Sequence, residues 1–389
     1  MSLTGPITLL AAILFAAAMP VLAMLTWNRV GRGQSGRAAA GRWIWRGGLV
    51  LGSQLTAVAL VAVLINNSAK FYTSWLELLG EHHTVTDSVA AAGNEDAQLR
   101  SRLAQATAHG LGIVVQIKVS GADAGIGRYP ALVYLPAQYG LPEYAHREFP
   151  VVELVAGAPG TPQTWTDALA VAHNLDREIA AGRSLPFIAV MPSQDVAGHR
   201  DTQCVDIAGG PQVDRYLTTD IRTAVVRAFR ANPQGRAWAL MGYSSGGFCA
   251  TNLAMRHPDL FAAAVSIAGY ARPAHDHQTG DLFGGNAELR NENTPVWRAT
   301  HLPPPDVALL LITTSQDPGT ARDAHEMAAA ARRPLSVTCL NLGHGGHNFE
   351  VWRAEEPVAF AWVSRQLIAP LAPQPVIDNT QPVVVVATH

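Results

Sequence analysis

The five residues Gly242-Tyr243-Ser244-Ser245-Gly246 lie between an apolar run, Ala237 to Met241, and a helix-compatible stretch, Phe248 to Met255. A strand that turns into a helix within so few residues crowds its own backbone. Small residues two positions either side of the central serine let strand and helix approach each other. The serine is left at the apex with Oγ exposed, above a helix N-terminus whose unpaired N–H groups favour negative charge. The pattern is short, and a chain with 34 glycines produces such spellings by coincidence, so its meaning depends on its surroundings.

From Gly112 onward, β-rich runs alternate with helical patterns. Ile113 to Val119 and Ala131 to Leu135 alternate like an antiparallel pair. Val151 to Val155, Phe187 to Val190, Ala237 to Met241, Ala262 to Ile267, Ala308 to Thr313 and Leu335 to Leu340 follow as further candidate strands. Between them Leu217 to Phe229 carries Ile221, Ala224, Val225 and Ala228 at helical spacing. Near-continuous apolar strands separated by helices require a mostly parallel sheet covered on both faces. Eight such strands with an antiparallel start, and a serine turn after the fifth, predict the α/β class and within it an α/β-hydrolase fold.

A serine hydroxyl is a poor nucleophile at neutral pH and needs a base within hydrogen-bond reach and an acid that orients the base. In this fold both belong at later strand ends. Asp317 directly follows Ala308 to Gln316, and His347 follows the next strand in Gly343-His344-Gly345-Gly346-His347-Asn348-Phe349. The order Ser244, Asp317, His347 is therefore the fold's order. Asp317 before Pro318-Gly319 also reads as a turn former or helix cap, and His344 is the competing base. For the tetrahedral oxyanion, one donor is expected from the backbone of Ser245. The second is expected from Ala156-Gly157-Ala158-Pro159-Gly160, where Ala158 is favoured because a proline has no N–H. No metal or organic cofactor is required: no further ligands are spaced around His344 and His347, and His275 and His277 flank Asp276 in a polar loop.

The first 27 residues contain no Lys, Arg, Asp or Glu, and Gly47 to Ile65 is also uncharged. Each is long enough to cross a bilayer. The loop between them carries Arg29, Arg32, Arg37, Arg42 and Arg46 and no acid. Basic loops are retained in the cytoplasm, so this arrangement predicts a multi-pass anchor in the cell membrane with everything after it extracytoplasmic. A signal peptide and two buried core helices are the alternatives. The expected organisation is a transmembrane hairpin at 1–69, with spans at about 5–27 and 47–65 and a basic loop at 28–46. A juxtamembrane linker at 70–110, a catalytic domain at 111–371 and a Pro/Val-rich tail at 372–389 complete it. The linker opens on an aromatic patch, Phe71, Tyr72 and Trp75, and only Asp96 to Ala108 reads as weakly helical.

A formal charge of −2 gives no reason to expect nucleic acid as a partner. Three cysteines are too few for a disulfide scaffold or a thiolate zinc site. Cys204 and Cys249, 45 positions apart, are candidates to pair. Closing that loop is worth about 4 kcal/mol in the chain-entropy model, and an external location permits it. Two buried free thiols are the alternative. Cys339, inside a candidate strand, reads as an ordinary core residue.

Several segments together resemble a known group: Leu132 to Pro136, Glu153-Leu-Val-Ala-Gly-Ala-Pro-Gly160, Asp201-Thr-Gln-Cys-Val-Asp206, Gly242 to Ala250, and His347-Asn-Phe-Glu-Val-Trp352. From about Gly112 to Leu371 the chain is similar to the serine esterases of the esterase D and antigen 85 mycolyltransferase group. That resemblance implies an α/β-hydrolase fold, a Ser244, Asp317, His347 triad, and an actinobacterial envelope setting for members with N-terminal spans. It does not cover the first 110 residues. The mycolyltransferases carry glutamate as triad acid where this chain offers Asp317, and methionine where it has Ser245. Hydrolysis of a carboxylic ester, on an envelope lipid or glycolipid or another external substrate, is accordingly the leading expectation. Acyl transfer to a sugar or glycolipid hydroxyl is the second, and a catalytically silent envelope-binding module the third.

Overall fold

The apolar runs are strands because both sides of each are covered. In the computed structural model, which describes residues 6–27, 36–69, 97–198 and 200–370, eight strands form one sheet. They are β1 Ile113–Gly121, β2 Ile126–Leu135, β3 Val151–Val155, β4 Ile188–Pro192, β5 Trp238–Tyr243, β6 Ala263–Ile267, β7 Ala308–Thr314 and β8 Ser336–Leu342. The order is β1-β2-β4-β3-β5-β6-β7-β8. The β1–β2 and β2–β4 pairings are antiparallel and all later ones parallel. This is the α/β-hydrolase arrangement, with the serine turn after the fifth strand.

Alternate side chains of each central strand feed two cores. Val151 and Val155 of β3 and Trp238 and Leu240 of β5 pack on one face. Val152, Leu154, Ala239, Met241 and Tyr243 pack on the other. Each fully buried Val, Leu or Met stabilises the fold by roughly 1.5–3 kcal/mol relative to exposure. β8 is the sheet edge and is only half covered, so Cys339 is exposed instead of lying in the core as its strand position suggested. The helical pattern at 217–229 begins as a π-wound turn, Tyr216–Ile221, before α-helix at Arg222–Ala228.

Before the sheet come α1 Pro6–Thr26, α2 Gly36–Ala69 and α3 Ala97–Ala108. The first two pack on each other and turn large apolar side chains outward, among them Leu10, Phe15, Met24, Leu51, Leu55 and Val58. By length and composition both can cross a membrane. α2 starts inside the expected basic loop, so that Arg37, Arg42 and Arg46 belong to a helix; Ala and Arg are strong helix formers and extend it. The Arg46 guanidinium lies 4.7 Å from the Trp27 ring centre and donates to the Trp27 carbonyl at 2.9 Å. α3 buries Leu99 and Leu103 in the same core as β1 and β2. Arg29, Arg32, the aromatic patch at 71–75 and the tail at 372–389 lie outside the described residues.

Candidate active site

β5 ends at Tyr243 and α4, Ser245–Arg256, starts two residues later. Ser244 makes the turn at φ 56°, ψ −124°, a conformation an L-residue holds only when its surroundings impose it. The imposition is visible. Ser244 N–H donates to the Ile267 carbonyl at 2.9 Å, and the Ser244 carbonyl accepts from Gly247 N–H at 2.9 Å. The flanking glycines are sterically required: a Cβ on Gly242 would lie 2.1 Å from the Gly246 carbonyl oxygen, and one on Gly246 would lie 2.2 Å from that of Val155.

Asp317 stands just after β7. As N-cap of α5, Pro318–Ala330, it accepts from Thr320 N–H at 3.5 Å through Oδ1, which leaves Oδ2 for a second partner. That partner is His347 Nδ1, at 2.8 Å. His347 lies in the short loop after β8, and its Nε2 is 2.9 Å from Ser244 Oγ. Carboxylate, imidazole and hydroxyl thus form one series. The helix reading of Asp317 and its pairing with histidine coexist because each uses a different oxygen. Asn348, the next residue, caps α6, Phe349–Ser364, by accepting from Glu350 and Val351 N–H. The first turn of that helix sets Trp352 edge-on to the His347 ring, 4.9 Å between centres. Trp352 itself stacks on Tyr243, 4.7 Å away, so the imidazole rests on an aromatic column rising from β5. His344 is exposed on the same loop, and it is His347 that reaches Ser244. Among the described residues no group of three or more His, Cys, Asp or Glu is placed to hold a metal ion.

On the other side of Ser244 the loop after β3 passes close by. Ser245 N–H is at the first position of α4, where no intrahelical acceptor exists. Ala158 N–H, the expected second oxyanion donor, donates to the Ser245 side-chain Oγ at 2.8 Å. Cys204 and Cys249 are joined by a disulfide, Cα–Cα 5.5 Å, which fastens the segment before Cys204 to α4.

That segment carries groups the sequence did not advertise. Gln194 Nε2 donates to the Ala156 carbonyl at 3.0 Å, Asp195 faces Gly160 N–H, and Asp201 faces the Ser245 hydroxyl. Burial, reinforced by repulsion from Asp276, raises the Asp201 carboxyl to about 6. Burial and the charge of Asp201 push Asp195 up to about 7. In the sequence, Asp201 stands out only as the first residue of Asp201-Thr-Gln-Cys-Val-Asp206, one of the segments that carry the family resemblance.

Residues 126–362 match the family described as "Putative esterase", and the chain belongs to it. Its enzyme class is carboxylic ester hydrolase. An uncharacterised protein of Corynebacterium glutamicum is 24% identical over 335 residues, which is 82% of this chain and 76% of that one. Among solved structures, a ferulic acid esterase superposes with a TM-score of 0.57 at 20% identity, over 66% of this chain and 99% of the other. An S-formylglutathione hydrolase from Agrobacterium tumefaciens gives 0.55 at 14%, over 66% and 96%. At these identities the two structures speak to the fold.

Proposed function

We propose that the chain is a membrane-anchored, extracytoplasmic serine esterase that works through Ser244, His347 and Asp317. The observation that carries this reading is the continuous series from Asp317 Oδ2 through both ring nitrogens of His347 to Ser244 Oγ. His347 Nε2 takes the hydroxyl proton as Oγ attacks the ester carbonyl. Asp317 holds the tautomer that has its proton on Nδ1 and stabilises the imidazolium that forms. The tetrahedral oxyanion is met by Ser245 N–H at the start of α4, with Ala158 N–H as second donor. The imidazolium then protonates the departing alcohol, and water, activated by the same histidine, cleaves the acyl-enzyme.

Two apolar helices long enough to cross a membrane support the anchoring, and the five arginines between residues 27 and 47, with no acid among them, support the orientation. A catalytic body held outside the membrane acts on external esters, and lipids or glycolipids of the envelope are the substrates within its reach. The test is turnover of nitrophenyl esters of graded acyl length by the wild type and Ser244→Ala. The substitution is expected to lower kcat by about 10⁴-fold or more. Full activity in Ser244→Ala would remove the assignment.

A further inference from the structure

The backbone of residues 156–160 runs directly beside the serine: a Cβ on Gly157 would lie 2.9 Å from Ser244 Cβ. The amide that this loop brings to the site is Ala158 N–H, and it is already engaged by Ser245 Oγ at 2.8 Å. Ser245 is 6% exposed, so the contact is sheltered from water. An N–H has one hydrogen, and a donor aimed at the Ser245 side chain is not aimed at an oxyanion on the substrate. The Ser245 hydroxyl in turn faces the Asp201 carboxylate, which Gln203 N–H fixes at 3.0 Å. We propose that Ser245 Oγ is a latch on the second oxyanion donor, occupying Ala158 N–H in the resting enzyme and slowing turnover until it yields that N–H in the transition state. The inference rests on the reading of Ser244 as nucleophile and deepens it.

The loop does not depend on the latch for its position. Its start is tied by Gln194 Nε2 to the Ala156 carbonyl, and its end by Thr161 N–H donating to Thr164 Oγ1 at 3.1 Å. Gln194 is itself fixed where its carbonyl accepts from Thr202 Oγ1 at 3.0 Å, two residues before the disulfide. Removing one hydroxyl therefore frees the amide without freeing the loop. An N–H that must leave a good partner gains less on meeting the oxyanion than one that comes unpaired, and only the difference between ground and transition state changes the rate. The net worth of one neutral hydrogen bond corresponds to roughly a threefold to tenfold change.

The experiment uses the full chain in detergent. Ser245→Ala is expected to raise kcat for a nitrophenyl ester about threefold to tenfold with KM little changed. Affinity for phenylboronic acid, whose tetrahedral serine adduct carries the oxyanion, should tighten by a similar factor. Ser245→Gly also lacks the hydroxyl and should show the same gain, while Ser245→Thr restores a hydroxyl and should abolish it. Unchanged or lower kcat in both Ser245→Ala and Ser245→Gly, in protein that melts like the wild type, overturns the latch. Failure of the underlying reading looks different. A wild type that a fluorophosphonate does not label at Ser244 loses its nucleophile, whereas a labelled wild type with slower Ser245 variants loses only the latch.

Discussion

The two flanks of Ser244 are built on opposite principles. On the β7–β8 side, Asp317 and His347 stand on short loops, the imidazole side chain is 42% exposed, and each titratable group is satisfied mainly by the other. On the β3 side, Ser245, Asp201 and Gln194 are buried and lie in a polar lattice backed by a disulfide. The difference matches the two kinds of work that the proposed mechanism asks of them. A group that passes protons to alcohol and water must stay near solvent and keep a fixed partner. Amide donors for a developing charge are most effective when they do not have to reorganise, and burial holds them.

The exposed flank should therefore be chemically fragile and structurally tolerant. Asp317→Asn keeps the cap on α5 but favours the wrong imidazole tautomer, and kcat is expected to fall about 10³–10⁴-fold with little change in thermal midpoint. Steady-state ester hydrolysis beside a melting curve reads both. A loss below tenfold would mean that another group orients His347. The buried flank should behave in reverse. Replacing Cys204 and Cys249 with serine opens a closure of 45 residues and is expected to cost about 4 kcal/mol in the chain-entropy picture, measured as a drop in unfolding free energy. Activity at temperatures where the variant stays folded should fall far less than in Asp317→Asn. If both variants lost activity equally with no loss of stability, the contrast between the flanks would be gone.

The sequence reads best where one interaction dominates. β3 to β7 were visible because burial on both faces demands apolar runs, and the meeting of Ser244, Asp317 and His347 was visible because a parallel sheet brings the ends of successive strands together. Segment 194–206 has no periodicity, and its meeting with residues 156–160 depends on how two loops pack, so neither Asp201 nor the engagement of Ala158 N–H could be read from spacing. Cys339 misled for the complementary reason: a run with strand composition does not say whether its strand is central or, like β8, an edge.

Glu153 belongs to the buried flank and tests how far burial there sets ionisation. It lies in the middle of β3, three residues before Ala156, fully buried and with neither carboxylate oxygen hydrogen-bonded. Burial raises its carboxyl to about 8, with the Arg222 charge opposing only in part. An unfolded chain releases this proton near 4.5, while the folded protein keeps it until about 8. Between those values the unfolded state binds fewer protons, so stability falls as pH rises through the window and levels off above it. Glu153→Gln, neutral and of the same shape, removes this slope. Near pH 4.5 the two proteins should differ little, and at pH 8 the variant should be the more stable by on the order of 4 kcal/mol. Urea unfolding at the two pH values decides it. Parallel pH profiles for wild type and variant would show that Glu153 ionises in the folded sheet as it does in the unfolded chain, and that the polar order beside Ser244 does not rest on a dry interior at β3.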